Sequence, residues 1–245
     1  MGGVQGAQAI SVVFCTPTIS KPLPAYLDAM EASAPLLDAA GIEYKIVFEI
    51  GSPYISAARA TMLRKALDTK ADSIIFIDHD LSWRPKDLLS LVSTPGDVVA
   101  GLYRFKKDDE EYMGALAHDA SGRPTGRHAD GTETLVLNAA RIPAGFMKIS
   151  RPAVARFMRS YPHLCYGDPI APHVDLFNHG AHEGVWWGED YAFSRNWLAC
   201  GGDLLVLPDL SLTHHSADAA YPGNFHEFLM RQPGGSKDPN HTPNP

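Results

Sequence analysis

The sequence has few cysteines, and those it has are far apart. Its 245 residues contain three, Cys15, Cys165 and Cys200, and no C-x-x-C pair occurs among them. An odd number of widely spaced cysteines argues against both a disulfide framework and a zinc knuckle. A chain without a disulfide framework is typical of a reducing compartment.

An excess of positive charge and long apolar stretches are also missing. The net charge is −7 and the pI about 5.8, which argues against nucleic-acid binding, because a phosphate backbone needs a positive surface. No apolar run approaches the roughly 18 residues of a membrane span. The first residues have neither the charged n-region nor the apolar core of a signal peptide. The sequence therefore predicts a cytoplasmic protein with no nucleic-acid partner and no membrane span.

What the chain does have is the alternation of strands and helices of an α/β protein. Hydrophobic residues make up 45% of the sequence and charged residues 20%, which is ordinary for a domain that buries a core. The order β-α-β-α-β-α-β up to Tyr103 predicts a doubly wound, mostly parallel mixed sheet flanked by helices. We expect one domain over 1–231. The proline, glycine and polar content of 232–245 predicts a mobile tail.

After Tyr103 the pattern becomes less regular. Strands are expected at Thr134–Leu137 and around Phe146–Ile149. The stretch Pro162–Glu183 is predicted to be a long loop, and loops of this length in compact domains are often functional.

The most informative stretch is a buried strand that ends in two carboxylates. The run Ser73–Ile77 is rich in β-branched and aromatic residues, and Asp78-His79-Asp80 follows it. If the chain is still extended there, Asp78 and Asp80 point the same way and His79 points elsewhere. Ligands of open α/β sheets bind beyond the carboxyl ends of strands, where two carboxylates suit Mg²⁺ or Mn²⁺. The alternative is that Asp80 caps the next helix and Asp78 is a solvated strand end.

Two other polar stretches have a similar pair of interpretations. Glu189 and Asp190 follow Trp186-Trp187-Gly188 at the start of a predicted helix. Acids in a first helical turn gain about 0.3–1 kcal/mol each from the helix dipole, without any catalytic role. The two tryptophans could form a stacking surface for a sugar or simply pack in the core. His214, after the last predicted strand, could be a metal ligand or an exposed histidine.

In their order along the chain, these stretches resemble the motifs of one enzyme family. They look like GT-A-fold, metal-dependent nucleotide-sugar glycosyltransferases, in particular bacterial family-2-like members, whose D-x-D motif would be Asp78-His79-Asp80. Ala60 stands where that family often has asparagine. The likeness runs from about Val12 to Ser216 through Thr16–Thr18, Ile55–Arg59, Asp78–Asp80, Asp97–Tyr103, Gly145–Arg151, Gly188–Phe193 and Pro208–His214.

The resemblance implies a GT-A fold and transfer of a sugar from a nucleotide-diphosphate-sugar donor to a hydroxyl acceptor, with inversion at the anomeric carbon. It implies Mn²⁺ or Mg²⁺ held by Asp78, Asp80 and His214. Asp190 would be the general base that deprotonates the acceptor, and Glu189 would support the helix start or contact the acceptor. The residues implied in binding the donor are Thr16, Pro17, Thr18, Glu49, Arg59 and Asp78.

Two other functions stay open. A metal-dependent nucleotidyltransferase would also use metal-bound carboxylates, but it would normally want a glycine-rich basic loop where Thr16–Lys21 stands. A catalytically inactive sugar-nucleotide or glycan-binding module is the alternative outside enzymes, and the presence of both Asp80 and Asp190 argues against it. Metal-dependent stabilisation by nucleoside diphosphates favours either transferase. Turnover of a nucleotide-sugar separates the glycosyltransferase from both.

Overall fold

The computed structural model describes residues 10–232, so all of the predicted tail except its first residue lies outside the described residues. The helices are α1 (Pro24–Ala39), α2 (Ile55–Leu67), α3 (Pro85–Ser93), α4 (Arg151–Ser160), α5 (Glu189–Ala199) and α6 (Phe225–Arg231). The strands are β1 (Ser11–Thr18), β2 (Glu43–Ile50), β3 (Ser73–Ile77), β4 (Leu81–Trp83), β5 (Val98–Ala100), β6 (Ala115–Leu116), β7 (Gly126–His128), β8 (Leu135–Arg141), β9 (Phe146–Ser150), β10 (Cys165–Tyr166), β11 (His173–Val174), β12 (Gly180–His182), β13 (Val185–Trp187), β14 (Leu205–Val206), β15 (Ser211–His215) and β16 (Ala220–Asn224).

A nine-stranded sheet forms the centre of the molecule. Its strand order is β2-β1-β3-β9-β5-β14-β8-β6, and β7 also pairs with β8. Strands β8 and β9 run antiparallel to their neighbours, while the other seven strands share one direction. This is the mostly parallel mixed sheet that the sequence predicts, and the α/β class is confirmed.

Helices cover both faces of this sheet, which explains why its central strands are apolar throughout. In β3, Ile75 and Ile77 pack with α1 and α3 on one face, and Ile74 and Phe76 pack with α2, α4 and α5 on the other. A strand buried on both faces has no position for a solvated side chain, so its sequence is a continuous apolar run rather than an alternating one. Polar residues therefore begin only where the strand ends.

Strand β9 occupies a position that the sequence did not indicate. It was expected as a strand, but it lies antiparallel between β3 and β5. The chain leaves β5 at the carboxyl edge of the sheet and returns to that same edge at Gly145, so the next strand must run back in the opposite direction. The carbonyl of Gly145 accepts a hydrogen bond from the Asp78 N–H at 2.9 Å. The loop before β9 is thereby fixed beside the carboxylate motif.

A second, smaller sheet lies at the carboxyl edge. It has the order β16-β15-β4 and is antiparallel. Strand β4 begins directly after Asp80, and its Leu81 pairs with His214 of β15. The N–H of His215 donates to the Asp80 carbonyl at 2.8 Å. This pairing brings together two motifs that are more than 130 residues apart in sequence.

The long predicted loop contains local structure of its own. A short 3₁₀ turn at Pro162–Leu164 precedes the antiparallel pair of β10 and β11, and a hairpin of β12 and β13 follows. The hairpin ends at Trp187, immediately before α5. Within residues 10–232, no helix is long and apolar enough to cross a membrane.

Candidate active site

The Asp78-His79-Asp80 motif lies at the carboxyl end of β3, where the chain turns. The N–H of Leu81 donates to the carbonyl of Asp78 at 3.2 Å, which closes a turn over the motif. The chain is therefore not extended there, and the argument that Asp78 and Asp80 converge because they are two residues apart does not hold. Each carboxylate has its own set of partners instead.

Asp78 belongs to a cluster around the buried guanidinium of Arg59. Nη2 of Arg59 donates to Asp78 Oδ1 at 2.9 Å, and Nη1 donates to Asp190 Oδ1 at 3.0 Å and to Glu189 Oε1 at 3.5 Å. The arginine side chain is only 2% exposed. Burial by itself would lower the pKa of Arg59, but the three carboxylates raise that pKa further above its usual value. One cation from α2 thus joins the end of β3 to the start of α5.

Asp190 has an environment suited to proton transfer near neutral pH. Burial is the largest influence and raises its pKa, as do the nearby carboxylates of Glu189 and Asp78. Arg59 and a backbone N–H of Ala144 lower the pKa in part, so that it comes to about 6. A carboxylate with a pKa near the working pH is the kind of group that acts as a general base.

Asp80 belongs to a second cluster, which contains Lys106 and His214. The ammonium of Lys106 lies 2.5 Å from Asp80 Oδ2, and Nε2 of His214 lies 3.6 Å from the same oxygen. Burial would raise the pKa of Asp80, but the bonds and charges of these two neighbours lower it well below its usual range. Nδ1 of His214 lies 2.8 Å from the Arg104 carbonyl. A carbonyl can only accept, so Nδ1 carries a proton and Nε2 is left facing Asp80.

Tyr103 separates the two clusters. Its buried ring meets the His214 ring edge-on, with 5.1 Å between the centroids. A Cβ built on Gly145 would lie 2.2 Å from the Tyr103 hydroxyl oxygen and 2.5 Å from Asp78 Oδ2, so both groups occupy the space above that glycine. Burial, and after it the charges of Asp78 and Asp190, raises the pKa of Tyr103 well above its usual value. The hydroxyl therefore keeps its proton.

The residues present fit a divalent cation, although the predicted trio is not assembled. Within the part of the chain that the structure describes, no group of three or more His, Cys, Asp or Glu residues could hold a metal ion. Asp80 and His214 nevertheless form a pair, with a carboxylate oxygen and the ring Nε2 facing each other. Mg²⁺-type sites often use one or two protein carboxylates, with substrate phosphates as further ligands.

The charge balance of the two clusters also favours a cation. Among residues 10–232, the four carboxylates of Asp78, Asp80, Glu189 and Asp190 pair with two permanent cations, Arg59 and Lys106, besides the ring of His214. The excess of two negative charges equals the charge of one divalent ion. An excess of this kind in partly buried surroundings is costly unless a cation offsets it.

The residues expected to bind the donor lie at the ends of β1 and β2. Pro17 pairs with Glu49 in the sheet, and Glu49 accepts a hydrogen bond from Lys65 at 2.8 Å. The Thr16 hydroxyl bonds to the Tyr26 hydroxyl at 2.6 Å and is completely buried. The Thr18 hydroxyl is buried without a hydrogen-bond partner. Of these side chains, Thr18 has an unused polar atom.

His79 shares this feature with Thr18. Its Nδ1 atom is buried and has no hydrogen-bond partner. His79 follows the end of β3, and Thr18 ends the neighbouring strand β1. Strand β1 lies between β2 and β3, so the strand order changes direction there, and open α/β sheets bind ligands at such points. Unpartnered buried polar atoms are uncommon in native proteins. Their presence at this position suggests that a ligand contacts them.

The two tryptophans before α5 have different surroundings. Trp187 packs under the guanidinium of Arg195, which lies 4.9 Å from the ring centroid. Trp186 is 67% exposed, and its closest aromatic neighbour is His179, with 6.1 Å between the ring centroids. Only Trp186 could therefore offer a free stacking surface.

Comparison with known proteins adds a likeness of fold. No protein-family model and no curated protein matches the chain. Among solved structures, the chain is similar to GalNAc-T7 with UDP, GalNAc and Mn²⁺, at 14% identity and a TM-score of 0.43 over 86% of this chain and 44% of that one. It is similar to a glycosyltransferase involved in the glycosylation of the major capsid of PBCV-1, at 11% identity and a TM-score of 0.31 over 59% and 62% of the two chains.

A third similar structure is the inositol-1-phosphate CTP transferase from T. maritima. The identity is 7% and the TM-score 0.44, over 86% of this chain and 91% of that one. All three TM-scores are below 0.5, and the chemistry of this chain follows from the residues of its own site.

The structure brings together most of the residues singled out from the sequence, but in two groups. Asp78, Glu189, Asp190 and Arg59 form the first, and Asp80 and His214 the second. Lys106 opens the run of charged residues 106–111, a pattern typical of a solvated loop, whereas the structure places it on Asp80. Tyr103 and Gly145 lie inside recognised motifs, but nothing in their sequence context indicated that they would be in the site.

Proposed function

We propose that this chain is a glycosyltransferase that moves a sugar from a nucleotide-diphosphate-sugar donor to a hydroxyl acceptor. The observation that carries the proposal is the closeness of two different chemistries at one edge of the sheet. A buried carboxylate with a pKa of about 6, Asp190, lies beside a carboxylate–histidine pair in surroundings with excess negative charge. The first suits removal of a proton from an alcohol, and the second suits a cation that binds a diphosphate.

The donor nucleotide would bind where the strand order changes direction, between the ends of β1 and β3. The unpartnered polar atoms of Thr18 and His79 are free to make hydrogen bonds to it there. Thr16, Pro17 and Glu49 would shape the wall of this crevice. Thr16 would act by fixing the strand end, because its hydroxyl is already bonded to Tyr26.

The diphosphate would lie near the second cluster. Asp80 and His214 would hold Mn²⁺ or Mg²⁺, and the mixed oxygen and nitrogen donors favour Mn²⁺. The metal would neutralise negative charge that develops on the leaving diphosphate. His214 is prepared for this role because its proton is held on Nδ1 by the Arg104 carbonyl, an arrangement usual for metal-binding histidines.

Asp190 would act on the acceptor. As the acceptor oxygen forms its bond to the anomeric carbon, Asp190 takes the hydroxyl proton. The bond between that carbon and the diphosphate oxygen breaks, and its electron pair leaves with the diphosphate. A base on the side of the sugar opposite the leaving group gives a product of inverted configuration. Glu189 is more exposed than Asp190 and more weakly bound to Arg59, so it would contact the acceptor.

The test is a screen of nucleotide-sugars with Mn²⁺ that detects free nucleoside diphosphate. Transfer supports the proposal, and release of pyrophosphate from nucleoside triphosphates instead would indicate a nucleotidyltransferase. Asp80→Asn should abolish Mn²⁺-dependent nucleotide binding while the protein stays folded. Asp68→Asn is the matched control, because Asp68 is an exposed carboxylate paired with Arg64 on another part of the surface. Normal metal and nucleotide binding by Asp80→Asn would contradict the assignment.

A further inference from the structure

We propose that Arg59 is a positioning residue that fixes Asp190 relative to Asp78 and does not touch the donor. The inference rests on the proposed function, since it assigns a role within that reaction. It differs from the role that the family resemblance implies, in which Arg59 binds the donor. The difference comes from what surrounds the guanidinium.

The guanidinium of Arg59 is enclosed by protein groups, and its Nε is buried without a hydrogen-bond partner. Its two terminal nitrogens are taken by Asp78 and by Asp190 with Glu189. The ring of Phe177 lies 5.0 Å from the guanidinium carbon and covers one face. The side chain is 2% exposed, so an incoming diphosphate could reach it only by displacing one of these partners.

The geometry of the contacts gives Arg59 its positioning role. Different nitrogens of one rigid, planar group bind Asp78 and Asp190, so the distance between the two carboxylates is set by the width of the guanidinium. A lysine has a single nitrogen on a flexible stem and cannot hold both in the same way. Asp78 follows β3 and Asp190 lies in the first turn of α5, so the guanidinium joins the ends of these two elements directly.

The consequence for the reaction is a fixed relation between the two sides of the site. Asp78 lies on the side where the diphosphate would bind, and Asp190 lies on the side of the acceptor. A proton acceptor misplaced by about 1 Å can cost about 10²-fold in rate. Loss of the guanidinium contacts to Asp78 and Asp190 should therefore lower kcat without weakening the binding of nucleotide.

The experiment compares Arg59→Lys with Arg64→Lys. Arg64 lies on the same helix, has a side chain that is 17% exposed and also pairs with a carboxylate, but it is outside the site. For each variant, thermal unfolding, the Kd for Mn²⁺ with the nucleoside diphosphate released in the donor screen, and kcat are measured. We expect Arg59→Lys to bind nucleotide within about threefold of the wild type and to lose about 10²-fold in kcat. Arg64→Lys should change neither quantity.

A double variant separates positioning from a general loss of structure. If Arg59 acts through Asp190, Arg59→Lys should cost little further activity once Asp190→Asn is present, whereas an unrelated structural defect would multiply the two losses. Unchanged kcat in Arg59→Lys, a large loss of nucleotide affinity, or multiplying effects would each overturn the proposal. Should Arg59→Lys not fold, Phe177→Leu takes its place, because it loosens the guanidinium without removing its charge.

Failure of the proposed function gives a different result. If the wild-type chain transfers no sugar from any donor, the proposed reaction is wrong. The positioning role of Arg59 is then tested with free energies of unfolding. Arg59→Lys and Asp190→Asn should then be non-additive in the double variant, because both remove the same contact. Additive changes in the free energy of unfolding would contradict the positioning role of Arg59, whether or not the protein is active.

Discussion

Asp190 is the residue on which the proposed reaction depends most. Its pKa of about 6 leaves it ionised at neutral pH yet able to accept a proton. We expect Asp190→Asn to retain donor affinity and to lower kcat by about 10²–10⁴-fold, as is typical of a lost general base. Glu189→Gln should cost less, because Glu189 is farther from Arg59 and more exposed. Near-normal turnover in Asp190→Asn, or a product of retained configuration by NMR, would show that Asp190 is not the general base.

Lys106 lies where a cation would bind, and this gives a second prediction for a single residue. Its ammonium is paired with Asp80, so a metal ion must displace it. Lys106→Met should raise the affinity for Mn²⁺ in the absence of nucleotide by up to about fivefold, the equivalent of the roughly 1 kcal/mol of a partly exposed ion pair. Titration with Mn²⁺ followed by electron paramagnetic resonance measures this affinity.

Lys107→Met is the control for that prediction. Lys107 is the next residue in the same loop and pairs with Glu111, away from the site. The Lys107→Met substitution removes the same charge from the chain as Lys106→Met, so any general electrostatic effect appears in both variants. Equal Mn²⁺ affinity in the two variants would show that Lys106 does not compete with the metal.

Single residues also show where prediction from the sequence stops. The strand end and its acids could be located, because a buried strand must change to polar residues where it meets solvent. The partners of Asp78 and Asp80 could not, because one turn hydrogen bond from Leu81 redirects their side chains. Lys106 stands in a charge run, a pattern typical of solvated loops. Only the path of the folded chain brings it to Asp80.

At the scale of elements, the close packing of β9 against β3 creates the space that the site occupies. Gly145, just before β9, has no side chain, and an added Cβ would lie 2.2 Å from the Tyr103 hydroxyl oxygen. We expect Gly145→Ala to destabilise the fold by about 1–3 kcal/mol, as overpacking does. Displacement of Asp78 from its place beside Arg59 should also lower kcat. Chemical unfolding and turnover of the donor measure the two effects.

Tyr103→Phe provides the internal check on that prediction. It removes the oxygen closest to the new methyl group, so the double variant should recover part of the stability lost in Gly145→Ala. The gain in unfolding free energy from Tyr103→Phe must be larger in the Gly145→Ala background than in the wild-type protein. Strictly additive unfolding free energies would show that the hydroxyl and the glycine do not share this space.

The elements that the sequence predicted well are those with long, consistent patterns. The helix from Glu189 begins where expected, since acids mark first helical turns. The position of β9 in the sheet could not be read, because lateral strand order depends on the route of the chain outside the sheet. Strand β4 has three residues, and each strand of the β12–β13 hairpin also has three residues. Such short segments have too few residues for a periodicity.

At the scale of the whole molecule, the sheet places all the polar chemistry at one edge. Apolar strands buried on both faces leave only their carboxyl ends for side chains that bind or react. The α/β class and the location of the site could therefore be predicted together. The same burial also traps a charged group far from the site. Lys148, on β9, is 4% exposed and donates to the carbonyls of Val92 and Thr94 at the end of α3.

Lys148 makes the stability of the whole fold depend on pH. Burial lowers its pKa from an ordinary value of 10.5 to about 8. Between these values the unfolded chain holds a proton that the folded chain has released, so folding becomes more favourable as pH rises. The expected gain is roughly 3 kcal/mol from pH 8 to 10.5. Burial raises the pKa of Tyr26 to about 12, which acts in the opposite direction as tyrosines ionise in the unfolded chain.

Comparison of two variants isolates the lysine from these other groups. We expect the unfolding free energy of the wild type to increase relative to that of Lys148→Met as pH rises from 7 to 10. The reason is that methionine fills the same space without a proton to release. The Tyr26 contribution is common to both proteins and cancels in the difference. The absolute stability of Lys148→Met does not matter, since the loss of bonds to two carbonyls is independent of pH. A difference that stays constant across this range would mean that Lys148 keeps its proton in the folded protein.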